Sequence, residues 1–98
     1  MTNLIIKHQA KINQICQEEG ISYLALFGSH ARGEAKPDSD VDLLVEYRQP
    51  VGFYELYDTE EKFKKTFKRP VDLVTIGGLK KHLYPYIKPD LVTVYEKP

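Results

Sequence analysis

The sequence has little cysteine, no net charge and no long apolar run. Its one cysteine, Cys16, cannot form an internal disulfide, and its place on the apolar side of a predicted helix is typical of a small core residue. Lysine plus arginine equal aspartate plus glutamate at 14 each, so no overall positive field favours nucleic-acid binding. A run of about 18 apolar residues occurs nowhere. We therefore expect a cytoplasmic protein with no signal peptide, no membrane span and no direct nucleic-acid contact.

The length of 98 residues predicts one domain, covering residues 1–98. A chain of this size forms a real hydrophobic core but is too short for a second lobe that would enclose a ligand. Any substrate site is therefore expected to be open or shared with another molecule.

The first half of the chain alternates between helical and extended patterns. Thr2 or Asn3 can cap a first helix that ends at Gly20, and apolar residues recur at helical spacing within it at Ile5, Ile12, Ile15 and Cys16. The next segment, "ISYLALF", is apolar on both faces, which is typical of a central strand. The elements predicted after Gly28 are a short helix or helical turn at Ser29 to Ala35, a turn at Pro37 to Ser39, and a strand at Asp40 to Glu46.

The second half predicts a long helix and two more strands. The segment "VGFYELYDTEEKFKKTFKR" places its aromatic and apolar residues near one helical stripe, Phe53, Leu56, Tyr57, Phe63 and Phe67, and a break near Asp58 and Thr59 is an alternative to a continuous helix. The strand "VDLVTI" follows Pro70 and is closed by Gly77 and Gly78. In the tail we expect a short helix, a turn and an edge strand at Leu91 to Tyr95.

Acidic residues stand inside two of these apolar strands. Because side chains alternate along a strand, Asp40 and Asp42 point to one face, with alpha carbons about 7 Å apart. Two such anions on a partly buried face repel each other and are costly to desolvate, and a divalent cation removes both costs. Asp72 lies between Val71 and Leu73 in the later strand. If the two strands are neighbours, three carboxylates meet.

Two familiar loop motifs nearly match this region and fail. An EF-hand loop beginning at Asp38 would have Leu43 in place of its glycine and Gln49 in place of its glutamate. A Walker loop beginning at Gly28 would have Glu34 in place of its lysine. The remaining pattern is a strand, a glycine and serine, a short helix and two acids on the next strand.

This remaining pattern is suited to phosphate binding. Gly28 lets a phosphate approach the backbone, and Ser29 offers a hydroxyl and an amide. Arg32 can reach the same phosphates, although a surface salt bridge to Glu34 or Asp38 is an alternative role for it. We expect none of the three histidines, His8, His30 and His82, to be a ligand.

The motif resembles that of a known family. Gly28-Ser29, ten intervening residues and Asp40-Val41-Asp42, within "GSHARGEA" and "SDVDLLV", are similar to the DNA polymerase beta-type nucleotidyltransferase superfamily, specifically its minimal nucleotidyltransferase (MNT) branch. The resemblance implies an α/β (α+β) fold with a small mixed sheet and helices packed on it. It also implies that Gly28 and Ser29 hold nucleotide phosphates. We expect Arg32 to contact the same phosphates.

The resemblance also implies a reaction and a partner. Asp40 and Asp42 would ligate Mg²⁺, and Asp72 would ligate a second Mg²⁺ ion and help to activate an acceptor hydroxyl. Small members of this branch pair with a HEPN-domain RNase toxin in a hetero-oligomer. In this interpretation the chain is an antitoxin that transfers AMP from ATP to a tyrosine of that toxin.

Two other functions remain open at the level of sequence. The first is a non-catalytic antitoxin that blocks its partner by occlusion, with a metal site that is vestigial or structural. The presence of all three acids, the glycine and the serine argues against it. The second is transfer to a small molecule, which the lack of sequence for an acceptor-binding domain disfavours. Tyr54, Tyr57, Tyr84 and Tyr86 could form a partner surface, although we expect core packing for at least half of the seven tyrosines.

Overall fold

A computed structural model describes residues 3–36, 39–79 and 84–97. The order of elements confirms the predicted alternation of helices and strands. In chain order they are α1 (Asn3–Glu19), β1 (Ile21–Phe27), α2 (Gly28–Arg32), β2 (Val41–Tyr47), α3 (Phe53–Phe67), β3 (Val71–Thr75), α4 (Tyr84–Ile87), a 3-10 turn (Lys88–Asp90) and β4 (Val92–Glu96).

The four strands form one mixed sheet in the order β3-β2-β1-β4. Strand β1 is antiparallel to both β2 and β4, whereas β2 and β3 run parallel and are joined by the crossover helix α3. As predicted, β1 is central, with its consecutive residues Leu24, Ala25 and Leu26 all buried, and β4 lies at an edge. The predicted small mixed sheet with packed helices is confirmed.

One face of the sheet carries the main core. Val41, Leu43 and Val45 of β2 are buried in a cluster with the apolar faces of α1 and α3. The predicted stripe of α1 is confirmed, since its buried residues are Ile5, Ile12, Ile15 and Cys16. Because side chains alternate along β2, Asp42 and Leu44 point to the opposite face of the sheet. The acids therefore lie away from the main core.

Helix α3 is continuous, so the alternative with a break near Asp58 and Thr59 is wrong. The Thr59 hydroxyl bonds to the Glu55 carbonyl at 2.9 Å, which satisfies this polar residue inside the helix. The predicted apolar stripe is only partly a core face. Phe63 and Phe67 are buried, but Phe53 is 92% exposed and Tyr57 is also exposed. Leu56 packs against the core while partly buried, so the core covers the later turns fully and the first turn only in part.

Several predicted boundaries shift by a few residues. Helix α2 ends at Arg32, before the predicted Ala35, because Gly33 adopts φ 74° and its N–H returns to the His30 carbonyl. Strand β2 begins at Val41, so Asp40 immediately precedes it. The Ser39 N–H donates to the Lys36 carbonyl at 3.0 Å. Pro37 and Asp38 of the predicted turn, and residues 80–83 with His82, lie outside the described residues.

The tyrosines differ from expectation. We expected core packing for at least half of them, but no tyrosine among the described residues is fully buried. Tyr47 and Tyr95 pack against the edge of the core, whereas Tyr54 and Tyr86 are among the most exposed large side chains. A hydroxyl-bearing ring gains from keeping its polar end in water, which allows this placement.

Candidate active site

The parallel pairing of β2 and β3 brings two acids together. Asp42 and Asp72 are register partners, flanked by the pairs Val41 with Val71 and Leu43 with Leu73. The Val41 N–H also donates to the Pro70 carbonyl at 2.9 Å, which fixes the start of this register. Register partners on parallel strands point to the same face, so the two carboxylates leave the sheet side by side.

Asp40 is exposed and stands just before β2, close enough to affect its neighbours electrostatically. Burial raises the pKa of Asp42, and the negative charges of Asp72 and Asp40 raise it further. The structure therefore brings Asp72 and Asp40 within electrostatic reach of Asp42. The strand alternation that places Asp42 on the face opposite the main core places Asp72 there as well.

Gly28 packs directly against Asp42. Phe27, the last residue of β1, is the register partner of Asp42, and Gly28 follows with φ 74°. A Cβ built at Gly28 would overlap Oδ2 of Asp42, so no other residue fits here without displacing that carboxylate. The turn from Gly28 to Ser29 thus lies against the Asp42 carboxylate.

Arg32 projects from the short helix that follows this turn. Its Nε lies 3.3 Å from Glu34 Oε2, and its Nη1 lies 3.3 Å from Asp90 Oδ2. Arg32 donates both hydrogen bonds, and they raise the pKa of its guanidinium, the bond to Glu34 more than the bond to Asp90. The positive charge of Arg32 opposes part of the rise in the pKa of Asp42, which is still raised overall. The Glu34 pair was an alternative from sequence, whereas the Asp90 contact joins residues 58 positions apart and was not predicted.

The two described histidines and the cysteine contact other parts of the fold. His30 is buried, and its Nε2 lies 3.2 Å from the Ser39 carbonyl. His8 makes an edge-to-face contact with Phe67 at a centroid separation of 5.6 Å. Cys16 is buried, and burial raises the pKa of its thiol to about 12, which confirms it as a core residue and not a reactive thiolate.

The sequence from residue 10 to residue 96 matches the family model described as the nucleotidyltransferase domain. The chain belongs to this family. Protein adenylyltransferase MntA of Thermococcus cleftensis is 35% identical to this nucleotidyltransferase over 75 residues, which are 76% of each chain. The predicted resemblance is therefore confirmed.

Solved structures agree with this assignment. A protein described as a candidate minimal nucleotidyltransferase superposes with a TM-score of 0.80 at 26% identity, covering 94% of this chain and 95% of the other. A chain in the complex of a tri-AMPylated Shewanella oneidensis HEPN toxin with an MNT antitoxin has a TM-score of 0.73 at 16% identity, covering 95% and 73%. The second similarity shows the fold.

In this nucleotidyltransferase, no helix of the described residues is long and apolar enough to cross a bilayer.

The family resemblance implies Mg²⁺, and the side chains present fit that ion. Carboxylate oxygens are its preferred protein ligands, and Asp42 and Asp72 offer two adjacent groups. Within residues 3–36, 39–79 and 84–97, no three acid, histidine or cysteine side chains are grouped closely enough to hold a metal by themselves. Because Mg²⁺ is usually bound by one or two carboxylates together with substrate phosphates, this arrangement suits a metal that arrives with a nucleotide.

Proposed function

We propose that this nucleotidyltransferase transfers AMP from ATP to a tyrosine hydroxyl of a HEPN-domain RNase toxin, and so acts as an antitoxin. The relative in Thermococcus cleftensis is named as a protein adenylyltransferase, which supports a protein acceptor. The solved complex with a tri-AMPylated HEPN toxin supports the class of partner. Because ATP is a cytoplasmic nucleotide, we also propose that the reaction takes place in the cytoplasm. The single domain over residues 1–98 stays a prediction from the length of the chain.

The observation that carries the proposal is the contact of Gly28 with Asp42 beside Asp72. It combines a backbone turn without a side chain, where phosphates can approach, with carboxylates that suit Mg²⁺. A purely structural glycine would need only the positive φ, as at Gly33, where a Cβ would meet nothing within 4 Å. The close fit at Gly28 instead keeps the turn against the acid.

We assign the metal ligands to Asp40, Asp42 and Asp72, in two sites. When bound, Mg²⁺ would neutralise charge on the α-phosphate and on the departing pyrophosphate. Gly28 and Ser29 hold the β- and γ-phosphates through backbone amides and the Ser29 hydroxyl, and Arg32 adds a charge-assisted contact. These groups align the nucleotide so that its α-phosphorus faces the open side of the sheet.

At the α-phosphorus the reaction forms one bond and breaks one, and one proton moves from the tyrosine hydroxyl. The tyrosine oxygen attacks the α-phosphorus, the bond from that phosphorus to the oxygen leading to the β-phosphate breaks, and pyrophosphate leaves. The exposed Asp72 carboxylate accepts the hydroxyl proton. Asp40 and Asp72 are both exposed, so a hydroxyl on another protein can reach the site without opening a lid.

Exposed aromatic side chains offer a surface for such a partner. Phe53 and Tyr54 at the start of α3 and Tyr86 in α4 are largely exposed. Aromatic residues are enriched at protein interfaces because they bury large areas with few rotatable bonds. This exposure supports the earlier hypothesis that tyrosines of α3 and of the tail contact the toxin.

The test is incubation of the purified pair with ATP and Mg²⁺. The mass of the toxin should rise by roughly 329 Da per AMP group as pyrophosphate leaves, and the adduct should map to tyrosine. The double variant Asp40→Asn, Asp42→Asn should form no adduct and should not neutralise the RNase. Asp58→Asn removes an acid that pairs with Lys62 on α3 and serves as the matched control.

The same experiment decides between transfer and occlusion. If the double variant silences the toxin fully at equal expression, while the wild-type protein leaves the toxin's mass unchanged, the chain neutralises by binding alone. Absence of any adduct with the wild-type protein, ATP, Mg²⁺ and its toxin contradicts the proposed transfer.

A further inference from the structure

We propose that Asp90 is a positioning residue, which holds the Arg32 guanidinium ready for the nucleotide phosphates. This inference rests on the proposed function, because it concerns how the same site binds ATP. Arg32 Nη1 lies 3.3 Å from Asp90 Oδ2, and α2 packs against the Lys88–Asp90 turn that carries this acid. The phosphate side of the site is thus joined to a segment near the end of the described chain.

The two acids that bind Arg32 differ in environment. The Asp90 side chain is 31% exposed, whereas that of Glu34 is 66% exposed and lies only two residues along the chain. The bond to Glu34 raises the pKa of Arg32 more than the bond to Asp90 does, but Asp90 is the more shielded acid and belongs to a different element. The bond to Asp90 therefore restrains where the guanidinium lies relative to the rest of the fold, which a partner two residues away on the same segment does not. With a side chain 42% exposed, Arg32 has room to move in the absence of Asp90.

The backbone of Asp90 is fixed relative to the glycine turn. The Leu91 N–H donates to the Lys88 carbonyl at 3.2 Å, which closes the 3-10 turn. One residue later, Val92 of β4 is the register partner of Leu26 of β1. Leu26 lies two residues before Gly28, and Val92 lies two residues after Asp90. The pairing of β1 with β4 therefore sets the distance between the Gly28 turn and Asp90.

The guanidinium keeps donors for a phosphate while bound to Asp90. Nε bonds to Glu34 and Nη1 to Asp90, and a guanidinium has five N–H groups in a rigid fork. Asp90 therefore orders a long side chain before ATP arrives, so less conformational entropy is lost when the phosphates bind.

The test is Mg²⁺-ATP binding to the full chain, measured by calorimetry with Asp90→Asn. We expect the dissociation constant to rise roughly 3- to 10-fold, the range for the ordering of one long side chain. In the transfer reaction, the KM for ATP should rise by the same factor while kcat changes little. Asp90→Glu should recover part of the affinity. Glu34→Gln, which removes the more exposed partner, should have the smaller effect, and thermal unfolding should show that each variant is folded.

A double-mutant cycle separates positioning from a general structural role. In an Arg32→Gln background, Asp90→Asn should cause no further loss of ATP affinity, because the group that it positions is gone. An unchanged or lowered dissociation constant for Asp90→Asn overturns the inference, and so does an undiminished effect in the Arg32→Gln background. A wild-type chain that binds Mg²⁺-ATP but never modifies the toxin instead contradicts the proposed function, and the binding comparison still decides the role of Asp90.

Discussion

Asp42 and Asp72 stand side by side on parallel strands, and the pKa of Asp42 is raised by burial and by the charge of Asp72. The unliganded protein thus carries two carboxylates that repel each other on one face of its sheet. This repulsion lowers the free energy of unfolding when no cation is present. The arrangement of carboxylates that we propose binds Mg²⁺ together with a nucleotide therefore lowers the stability of the metal-free protein.

The first prediction concerns this cost. Asp42→Asn keeps the shape of the side chain and removes its charge, so the metal-free protein should unfold at a higher temperature than wild type. In a domain of this size about 1 kcal/mol corresponds to roughly 4–8 °C, and we expect a rise within or below that range. Scanning calorimetry in EDTA measures the midpoint.

Asp58→Asn is the control for this prediction, since Asp58 pairs with Lys62 and its loss should not stabilise the protein. Mg²⁺-ATP should raise the midpoint of the wild-type protein but not that of Asp42→Asn. A midpoint for Asp42→Asn in EDTA below that of wild type would show that the charge pair is not destabilising.

The acid pair was accessible from sequence because strand periodicity is local. Asp42 and Asp72 each stand between apolar residues of a short strand, so each was expected to point away from the hydrophobic face. The sequence did not show that β2 and β3 are neighbours, and the predicted meeting of the carboxylates depended on it. A parallel pair needs a crossover connection, and the long amphipathic segment between the two strands supplies it as α3.

Other features depend on contacts that periodicity does not describe. The Arg32 contact with Asp90 joins α2 to a turn 58 residues later, and no local pattern indicates it. Helical spacing correctly placed Phe63 in the core but not Phe53, because spacing shows which side chains share a face and not how much of the helix is covered. The buried residues of α3 begin only at Thr59.

The second prediction concerns a buried polar network beneath α3. The Thr59 side chain is fully buried, and its hydroxyl lies 2.7 Å from both the Tyr47 hydroxyl and Glu19 Oε1. Thr59→Val keeps the shape but leaves these two groups without their shared partner, so the free energy of unfolding should fall by about 1–3 kcal/mol. Urea denaturation measures the change.

Thr66→Val is the matched control, because the Thr66 hydroxyl bonds only to the Lys62 carbonyl of its own helix among the contacts of the described residues. We expect a change within about 0.5 kcal/mol there. Equal losses for the two variants would mean that the contacts of Thr59 with Tyr47 and Glu19 contribute little.

The third prediction is a pH dependence from Cys16. Its pKa in the folded protein is about 12, against 9.0 for the free group, because burial disfavours the thiolate. Stability from the neutral thiol is fully present below pH 9 and is lost as pH rises toward 12, where the unfolded chain has released the proton and the folded one retains it. The loss can reach ~4 kcal/mol, at about 1.36 kcal/mol per pKa unit.

Cys16→Ala lacks this titration but keeps those of the tyrosines and lysines. Unfolding free energies of the two proteins, measured in urea from pH 8 to pH 11, should therefore converge as pH rises. The variant is less stable at pH 8 because a buried side chain has been shortened. Parallel curves over the whole range would rule out a buried, neutral thiol.

The last prediction compares two glycines of the same loop region. Gly28 and Gly33 both have φ 74°, so alanine at either position incurs the strain of a left-handed backbone, about 1–2 kcal/mol. Only at Gly28 would the added Cβ also overlap Oδ2 of Asp42, whereas at Gly33 it would meet nothing within 4 Å. Both variants should lose stability, but only Gly28→Ala should displace the carboxylate.

Calorimetric titration with Mg²⁺-ATP should therefore show binding at least about tenfold weaker for Gly28→Ala, a difference of about 1.4 kcal/mol, and near wild type for Gly33→Ala. Equal ATP affinities in the two variants would mean that the contact between Gly28 and Asp42 does not shape the nucleotide site.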